Sequence, residues 1–181
     1  NDFIESAPEQ FSDATYSAMK ERSVGLGVMG LHSFFQQKNI PLESVMSKVW
    51  NNKIFKHIQE NVDSSSKKLA DERGSCPDAE EYGIKERFSN KTAIAPTASI
   101  SIICGGASPG VEPIAANSYT HKTLSGSYNV RNKYLKKLLE KYGKNDDETW
   151  STITTNQGSV SHLDFLTDNE KDVFKTAFEL D

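Results

Sequence analysis

The sequence predicts an α/β fold that is rich in helices, and three observations support this prediction. Apolar residues recur at spacings of three and four along most of the 181-residue chain, which is typical of amphipathic helices. Patterns typical of strands are confined to two short stretches, residues 91–96 and 118–130. Glycine follows several predicted helices, as it often does at helix ends. We therefore expect a helix-rich chain whose few strands find their sheet partners largely outside it.

The first half of the chain is predicted to form helices separated by short breaks. Residues 13–38 have helical spacing with a break near Glu21–Ser23. Pro41 lies in a loop, because the residue before a proline avoids the helical conformation, and a long helix is expected from there to Gly74. Its predicted buried face consists of Val45, Val49, Ile54, Ile58, Val62 and Leu69. Residues 75–90 are polar and predict a loop with one short turn.

The second half contains the predicted strands and more helices. The stretch KTAIAP predicts a short buried strand that runs into a turn at Pro96, and residues 118–130 predict one or two strands or an extended loop. Helices are expected over three further ranges, 131–143, 148–155 and 168–180. The turn NQGSV precedes the last helix, which Thr167 is expected to begin with a capping box that includes Glu170.

Both ends of the chain predict that it is a piece of a longer protein. The first residue is not Met, and the last residues, FKTAFELD, continue a helical pattern without a cap or a glycine. A length of 181 residues suits one domain or part of one. We therefore expect residues 1–181 to form a single piece of one domain.

Composition and charge exclude several classes of protein. Apolar residues make up 36% of the chain, which is enough for a core. The net charge is −4 and the pI about 5.6, whereas a nucleic-acid-binding protein needs a clustered excess of Lys and Arg. The apolar runs are far shorter than the roughly 20 residues of a membrane span, and NDFIESAPEQ does not resemble a signal peptide. We therefore expect a cytoplasmic protein that binds neither nucleic acid nor a membrane.

Cysteines and histidines give no pattern of a metal site. Cys76 and Cys104 form no CxxC pair and are expected to be reduced, ordinary thiols. None of the four histidines lies three or four positions from another, so no metal is expected. His32 and His57 fall in helical patterns, and we interpret them as residues at the solvent edge or as hydrogen-bonded core residues.

The stretch GLGVMG at residues 25–30 matches the G-x-G-x-x-G pattern of dinucleotide-binding turns. Such a turn follows a strand and opens a helix, and an acidic residue lies about 20 positions further on. Here a helical pattern precedes Gly25, and the later position falls within the next predicted helix. We interpret these glycines as residues that let two backbones approach closely where a helix packs. An NAD(P)-dependent oxidoreductase remains an alternative, to be decided by whether a strand precedes Gly25.

Residues 92–113 read TAIAPTASISIICGGASPGVEP and combine small hydroxyl residues with glycines between two prolines. Thr97, Ser99 and Ser101 follow a predicted strand and turn, so their N–H groups are expected to converge at the start of a helix. Such N–H groups, with hydroxyls beside them, can bind a phosphate through hydrogen bonds and the helix dipole. A strand, a turn and a helix cap would explain the same residues equally well. The residues alone leave both interpretations open.

Several motifs of the chain resemble, in the same order, those of the large (α, catalytic) subunit of ribonucleotide reductase. The blocks PTASIS and GASPGVEP resemble its phosphate-loop segment and are the most specific. ERSVGLGVMGLHSFFQQKNIP resembles its R-x-x-GLGVMG helix, and SSSKKLADERGSCPD resembles the end of a further helix. YTHKTLSGSYNVRNKYL, NQGSV and FKTAFELD also have counterparts. The resemblance covers nearly the whole chain.

The resemblance implies a function and a site. It implies the reduction of ribonucleotides, here expected to be diphosphates, to 2′-deoxyribonucleotides by radical chemistry on a ten-stranded α/β barrel, of which this chain would be a helix-rich part. By resemblance, the loop of Pro96, Thr97, Ala98, Ser99 and Ile100 holds the substrate phosphates, through those main-chain N–H groups and side-chain hydroxyls that its residues have. This chain is therefore expected to supply the substrate-phosphate loop and barrel scaffold.

The resemblance also implies which parts of the enzyme other segments supply. The family's thiyl-radical cysteine, with its Asn and Glu partners, would precede residue 1, and its radical-transfer tyrosine pair would follow residue 181. We expect no cofactor in this piece, a radical generated by a partner subunit or by a cofactor elsewhere, and no activity of the chain alone. The expected partners are a ribonucleoside diphosphate, the remaining parts of the large subunit and a radical-generating small subunit. A stand-alone phosphate-binding or scaffold module without catalysis is the other alternative.

Overall fold

Helices dominate the structure, as the spacing of the apolar residues predicts. The computed structural model describes residues 4, 6–124 and 126–181. The helices are α1 (Ser12–Glu21), α2 (Leu31–Gln37), α3 (Val45–Arg73), α4 (Pro77–Glu81), α5 (Ala98–Ile103), α6 (Lys133–Lys141), α7 (Asp147–Thr155) and α8 (Asp168–Val173). A 3-10 turn, Glu9–Phe11, precedes α1. Strands β1 (Ser118–Thr123) and β2 (Gly126–Arg131) form an antiparallel hairpin.

The chain divides into two units. The first unit combines Asn1–Gly27 with Asn51–Ile94, and the second combines Val28–Trp50 with Ala95–Asp181. The prediction that residues 1–181 form a single piece of one domain stays a prediction. No helix in the described part of the chain is both long and apolar enough to cross a membrane.

The long helix α3 confirms one prediction and corrects another. It ends before Gly74, whose φ of +80° suits the glycine that was expected there. Its first turns are exposed, however, because 78% of Val45 and 53% of Val49 is accessible to solvent. The predicted buried face is therefore wrong at these two positions, whereas the other predicted residues of that face, from Ile54 onward, are half-buried.

The main core of the second unit is formed by residues of the last three helices and of the segments that follow α7 and α8. It contains Leu135, Leu139, Trp150, Ile153, Val160, Leu163, Leu166, Val173 and Phe174, all of them buried. Asp146 caps α7 by accepting a hydrogen bond from the Thr149 N–H at 2.7 Å. The predicted capping box of Thr167 and Glu170 is confirmed at the start of α8. The predicted helix over FKTAFELD is wrong, since α8 ends at Val173 and turns follow.

The strand predictions are confirmed for the hairpin and are wrong for KTAIAP. Residues 91–96 contribute an isolated parallel bridge between Thr92 and Leu26 rather than a buried strand. The Leu26 N–H donates to Lys91 O at 3.1 Å, and the Ala93 N–H donates to Leu26 O at 3.1 Å. Ile94 is 79% exposed. Residues 92–96 are all exposed, so the described residues do not cover this segment as they would a buried strand.

Candidate functional site

The predicted phosphate loop forms a turn that leads directly into α5. Thr97 is the residue before the helix and has left-handed backbone angles, φ 49° and ψ 29°. The N–H groups of Ala98, Ser99 and Ile100 are the first of the helix and so have no acceptor within it. The Thr97 side chain does not cap them. Pro96, Ala98, Ser99 and Ile100 are exposed and Thr97 is half-buried, so these three N–H groups face solvent and have no acceptor among the described residues.

The block GASPGVEP supports this loop through close backbone contact. Thr97 Oγ1 accepts a hydrogen bond from the Gly110 N–H at 2.7 Å. Gly110 has a φ of +47°, and a Cβ atom there would lie 2.8 Å from the carbonyl oxygen of Ala95. The Ser101 hydroxyl donates to Ala98 O at 2.8 Å within the first turn of α5. The small residues between Pro96 and Pro113 therefore allow the chain at Gly110 to pack closely against the backbone of Ala95.

A cavity of about 530 Å³ lies beside the loop. Ala98, Ser101 and Gly105 form part of its wall, and Arg131 and Lys133 contribute cationic side chains. Lys133 Nζ donates to the Gly105 carbonyl oxygen at 2.9 Å, while Arg131 pairs with Asp147 at 2.8 Å. Lys133 gives no signal of this site in the sequence, because it lies 28 positions from Gly105 and only the folded chain brings the two together.

The GLGVMG stretch is not helical, although helical spacing was expected over residues 13–38, and within it only Leu26 forms a β-bridge. Gly25 and Gly27 flank Leu26, which pairs with Thr92. A Cβ atom at Gly25 would lie 2.9 Å from the Ala93 Cβ, and one at Gly27 would lie 2.8 Å from the Ala93 carbonyl oxygen. The expected close approach of two backbones is thus confirmed, but with an extended segment instead of a packed helix. Helix α1 and not a strand precedes Gly25.

These observations predict that the chain binds neither NAD nor NADP. The position about 20 residues beyond Gly30 lies within α3, so the acidic residue that would hold a ribose hydroxyl at a strand end has no counterpart there. A calorimetric titration of the chain should show no saturable binding at micromolar concentrations. Tight binding that Gly27→Val abolishes would contradict this interpretation of the motif.

The histidines and cysteines differ in burial, and the buried histidine, His32, is hydrogen-bonded in the core. His32 is 1% exposed, and its Nδ1 accepts a hydrogen bond from the Ile114 N–H at 3.0 Å. Burial lowers the pKa of His32 to about 4, so it is a neutral core residue at physiological pH. His57 is exposed on α3. Cys76 is buried, Cys104 is exposed, and both are free thiols. No group of three metal-ligating side chains is found in the described ranges.

Comparisons with known proteins agree on one family. The family model "Ribonucleotide reductase, barrel domain" matches residues 1–86 and 77–181. The chain is 48% identical to the ribonucleoside-diphosphate reductase large subunit of Invertebrate iridescent virus 6, over 98% of this chain and 19% of that protein. It is 44% identical to the same subunit of Invertebrate iridescent virus 3, over 96% of this chain and 28% of that protein.

A solved structure is also similar. The class Id ribonucleotide reductase alpha subunit of Actinobacillus ureae matches with a TM-score of 0.86 and 39% sequence identity, over 97% of this chain and 32% of that one. The chain thus spans between about a fifth and a third of the length of these proteins. The predicted fold class, a helix-rich part of an α/β barrel, is confirmed.

Proposed function

Since this chain belongs to the family of the ribonucleotide reductase barrel domain, we propose that it supplies the substrate-phosphate loop and part of the barrel to a ribonucleoside-diphosphate reductase large subunit. The complete enzyme would reduce ribonucleoside diphosphates to 2′-deoxyribonucleoside diphosphates by radical chemistry. The names of the similar proteins support this reaction. The remaining parts of the large subunit and a radical-generating small subunit are the proposed partners.

The observation that carries the proposal is the set of unpaired N–H groups where α5 begins. Ala98, Ser99 and Ile100 offer three successive donors, and the helix dipole adds a partial positive charge at the same point. Small and exposed side chains at Ala98 and Ser99 leave room for a phosphate to reach the backbone. This arrangement suits a terminal phosphate group of the substrate.

The hydroxyl groups of the loop have different roles in the proposed site. Thr97 Oγ1 already accepts the Gly110 N–H, so its own proton is left to donate to a phosphate oxygen. Ser99 is exposed in the first turn of α5 and can donate directly. Lys133, which holds the carbonyl of Gly105, adds a positive charge beside the same cavity. The residues of this chain therefore bind and orient the substrate.

We assign the radical steps to other parts of the large subunit and to its partner. Neither cysteine of this chain matches the family's radical-carrying cysteine, and Cys76 is fully buried. The contribution of this chain is to fix the phosphate end of the substrate, which lies remote from the 2′ carbon. Changes in the loop should consequently act mainly on substrate binding.

Ser99→Ala in the complete large subunit is expected to raise the KM for a ribonucleoside diphosphate by about ten- to hundred-fold. One lost hydrogen bond to a charged group costs about 1.5–3 kcal/mol, which corresponds to that change in affinity. The effect on kcat should be smaller. Steady-state kinetics with the small subunit and a dithiol reductant measures both constants.

Ser161→Ala is the matched control, because it removes an exposed hydroxyl that lies outside the loop. Its KM should equal that of the unmodified subunit. An unchanged KM for Ser99→Ala would mean that residues 96–100 form only a turn and a helix start, and the proposed phosphate site would then be wrong.

A further inference from the structure

Three arginines of the first unit line a single cleft of about 640 Å³. Arg22 follows the end of α1, Arg73 is the last residue of α3, and Arg87 lies in the segment after α4. Apolar side chains, Val24, Leu69 and Phe88 among them, form another part of the wall. The cleft therefore combines a cationic part with an apolar part.

The three arginines of this cleft form no ion pair with a described residue, although the carboxylate of Glu21 also lines the cleft. Arg87 is only 7% exposed, and its Nη1 donates to the carbonyl oxygens of Arg73 at 2.9 Å and Gly74 at 3.1 Å. These acceptors carry no net charge. None of the three arginines forms an ion pair within the described ranges, whereas Arg131 and several lysines do. The Arg22 Nε atom is buried and has no hydrogen-bond partner among the described residues.

The three positive charges of the cleft disfavour one another. The pKa of Arg87 lies below its ordinary value, first because of burial and then because of the positive charges of Arg22 and Arg73. The acidic side chain in the cleft, Glu21, accepts hydrogen bonds from the Ser17 and Ser23 hydroxyls at 3.1 Å each. Buried donors and like charges without partners cost free energy, and a bound anion would remove that cost.

We propose that this cleft binds a small organic phosphate. The planar guanidinium group offers paired N–H donors that match a phosphate, and several of them together favour a group with more than one negative charge. The volume exceeds that of inorganic phosphate and falls within the range of small-molecule pockets, about 300–1,000 Å³. The apolar residues Val24, Leu69 and Phe88 would contact the organic part of the ligand. No residue of the loop 96–100 takes part.

The test is a calorimetric titration of the full 181-residue chain with phenyl phosphate, inorganic phosphate and benzoate at constant ionic strength. Phenyl phosphate should bind saturably at one site and more tightly than inorganic phosphate, because only it can also contact the apolar wall. Arg73→Gln should weaken the binding of phenyl phosphate by about ten- to hundred-fold. Arg73 is exposed, so this change preserves the fold, whereas Arg87→Gln would also remove the two hydrogen bonds at the end of α3.

Lys68→Gln is the matched control. It removes one positive charge from the same helix but from a residue outside the cleft, where Lys68 pairs with Glu72 at 4.0 Å. Its affinity for phenyl phosphate should equal that of the unmodified chain. The proposal is overturned if phenyl phosphate does not bind at millimolar concentrations, if Arg73→Gln binds it as well as Lys68→Gln does, or if benzoate binds as tightly. If inorganic phosphate binds as tightly as phenyl phosphate, the proposal that the ligand has an organic part in contact with the apolar wall is wrong.

Discussion

Gly158→Ala is expected to lower the free energy of unfolding by about 3 kcal/mol or more. Gly158 has a φ of +83°, which is unfavourable for any residue with a Cβ atom. The added Cβ would overlap the Ala116 Cβ and lie 2.7 Å from the Ala116 Cα and 2.9 Å from the Asn117 nitrogen. Backbone strain and overpacking each cost about 1–3 kcal/mol. Urea unfolding followed by the fluorescence of the buried Trp150 measures the loss.

The clash would also disturb the hydrogen bonds of a buried asparagine. The Gly158 carbonyl oxygen accepts from the Asn117 N–H at 3.1 Å and from its Nδ2 at 2.9 Å. Gly143→Ala is the control, because Gly143 has a φ of +64° but no atom within 4 Å of an added Cβ. It should cost only about 1 kcal/mol. Equal losses for the two variants would show that the contact with Ala116 has no energetic effect.

The chain is expected to lose about 3 kcal/mol of stability as the pH falls from 6.5 to 4 because of His32 alone. The pKa of His32 is about 4 in the folded chain and 6.5 in its ordinary state, because burial disfavours the charged imidazolium. Well above pH 6.5, His32 is neutral in both the folded and the unfolded chain, so the chain keeps its full stability. Below it the unfolded chain takes up the proton first, and stability falls by up to about 1.4 kcal/mol per pH unit. Protonation at Nδ1 would also remove the acceptor of the Ile114 N–H.

His32→Asn isolates this effect, because its Oδ1 can replace Nδ1 as an acceptor but does not titrate in this range. Unfolding curves collected between pH 4 and 7 should have a smaller slope against pH for this variant than for the unmodified chain. His57→Gln, which changes an exposed histidine of α3, should keep the original slope. Identical slopes for the unmodified chain and His32→Asn would contradict a buried neutral His32.

The helices could be predicted from the sequence because their signals are local. The capping box of Thr167 and Glu170 and the glycine after α3 are each specified within a few residues. The face of a helix that is buried depends on distant segments, which is why Val45 and Val49 were predicted to be buried and are exposed. Likewise, the pattern of FKTAFELD is compatible with a helix, but the chain turns after Val173 and the Thr176 N–H bonds to Glu179 instead.

The candidate site could be predicted only in part, because some of its contacts join segments that lie far apart in the sequence. A turn that begins a helix at Ala98 follows from Pro96 and the small residues after it. The hydrogen bond from Gly110 to Thr97 and the position of Lys133 depend on contacts between segments that lie far apart in sequence. The three-arginine cleft is of this kind as well, since Arg22, Arg73 and Arg87 come from three separate elements.

The contact between Thr97 and Gly110 constrains how this region can evolve. Any side chain at position 110 would press on the Ala95 carbonyl, so a substitution there is tolerated only if residues 95–97 move as well. Loss of the hydroxyl at position 97 would leave the Gly110 N–H without its acceptor. Positions 97 and 110 should therefore change together among related sequences, and a relative without a glycine at 110 should have a differently shaped turn before α5.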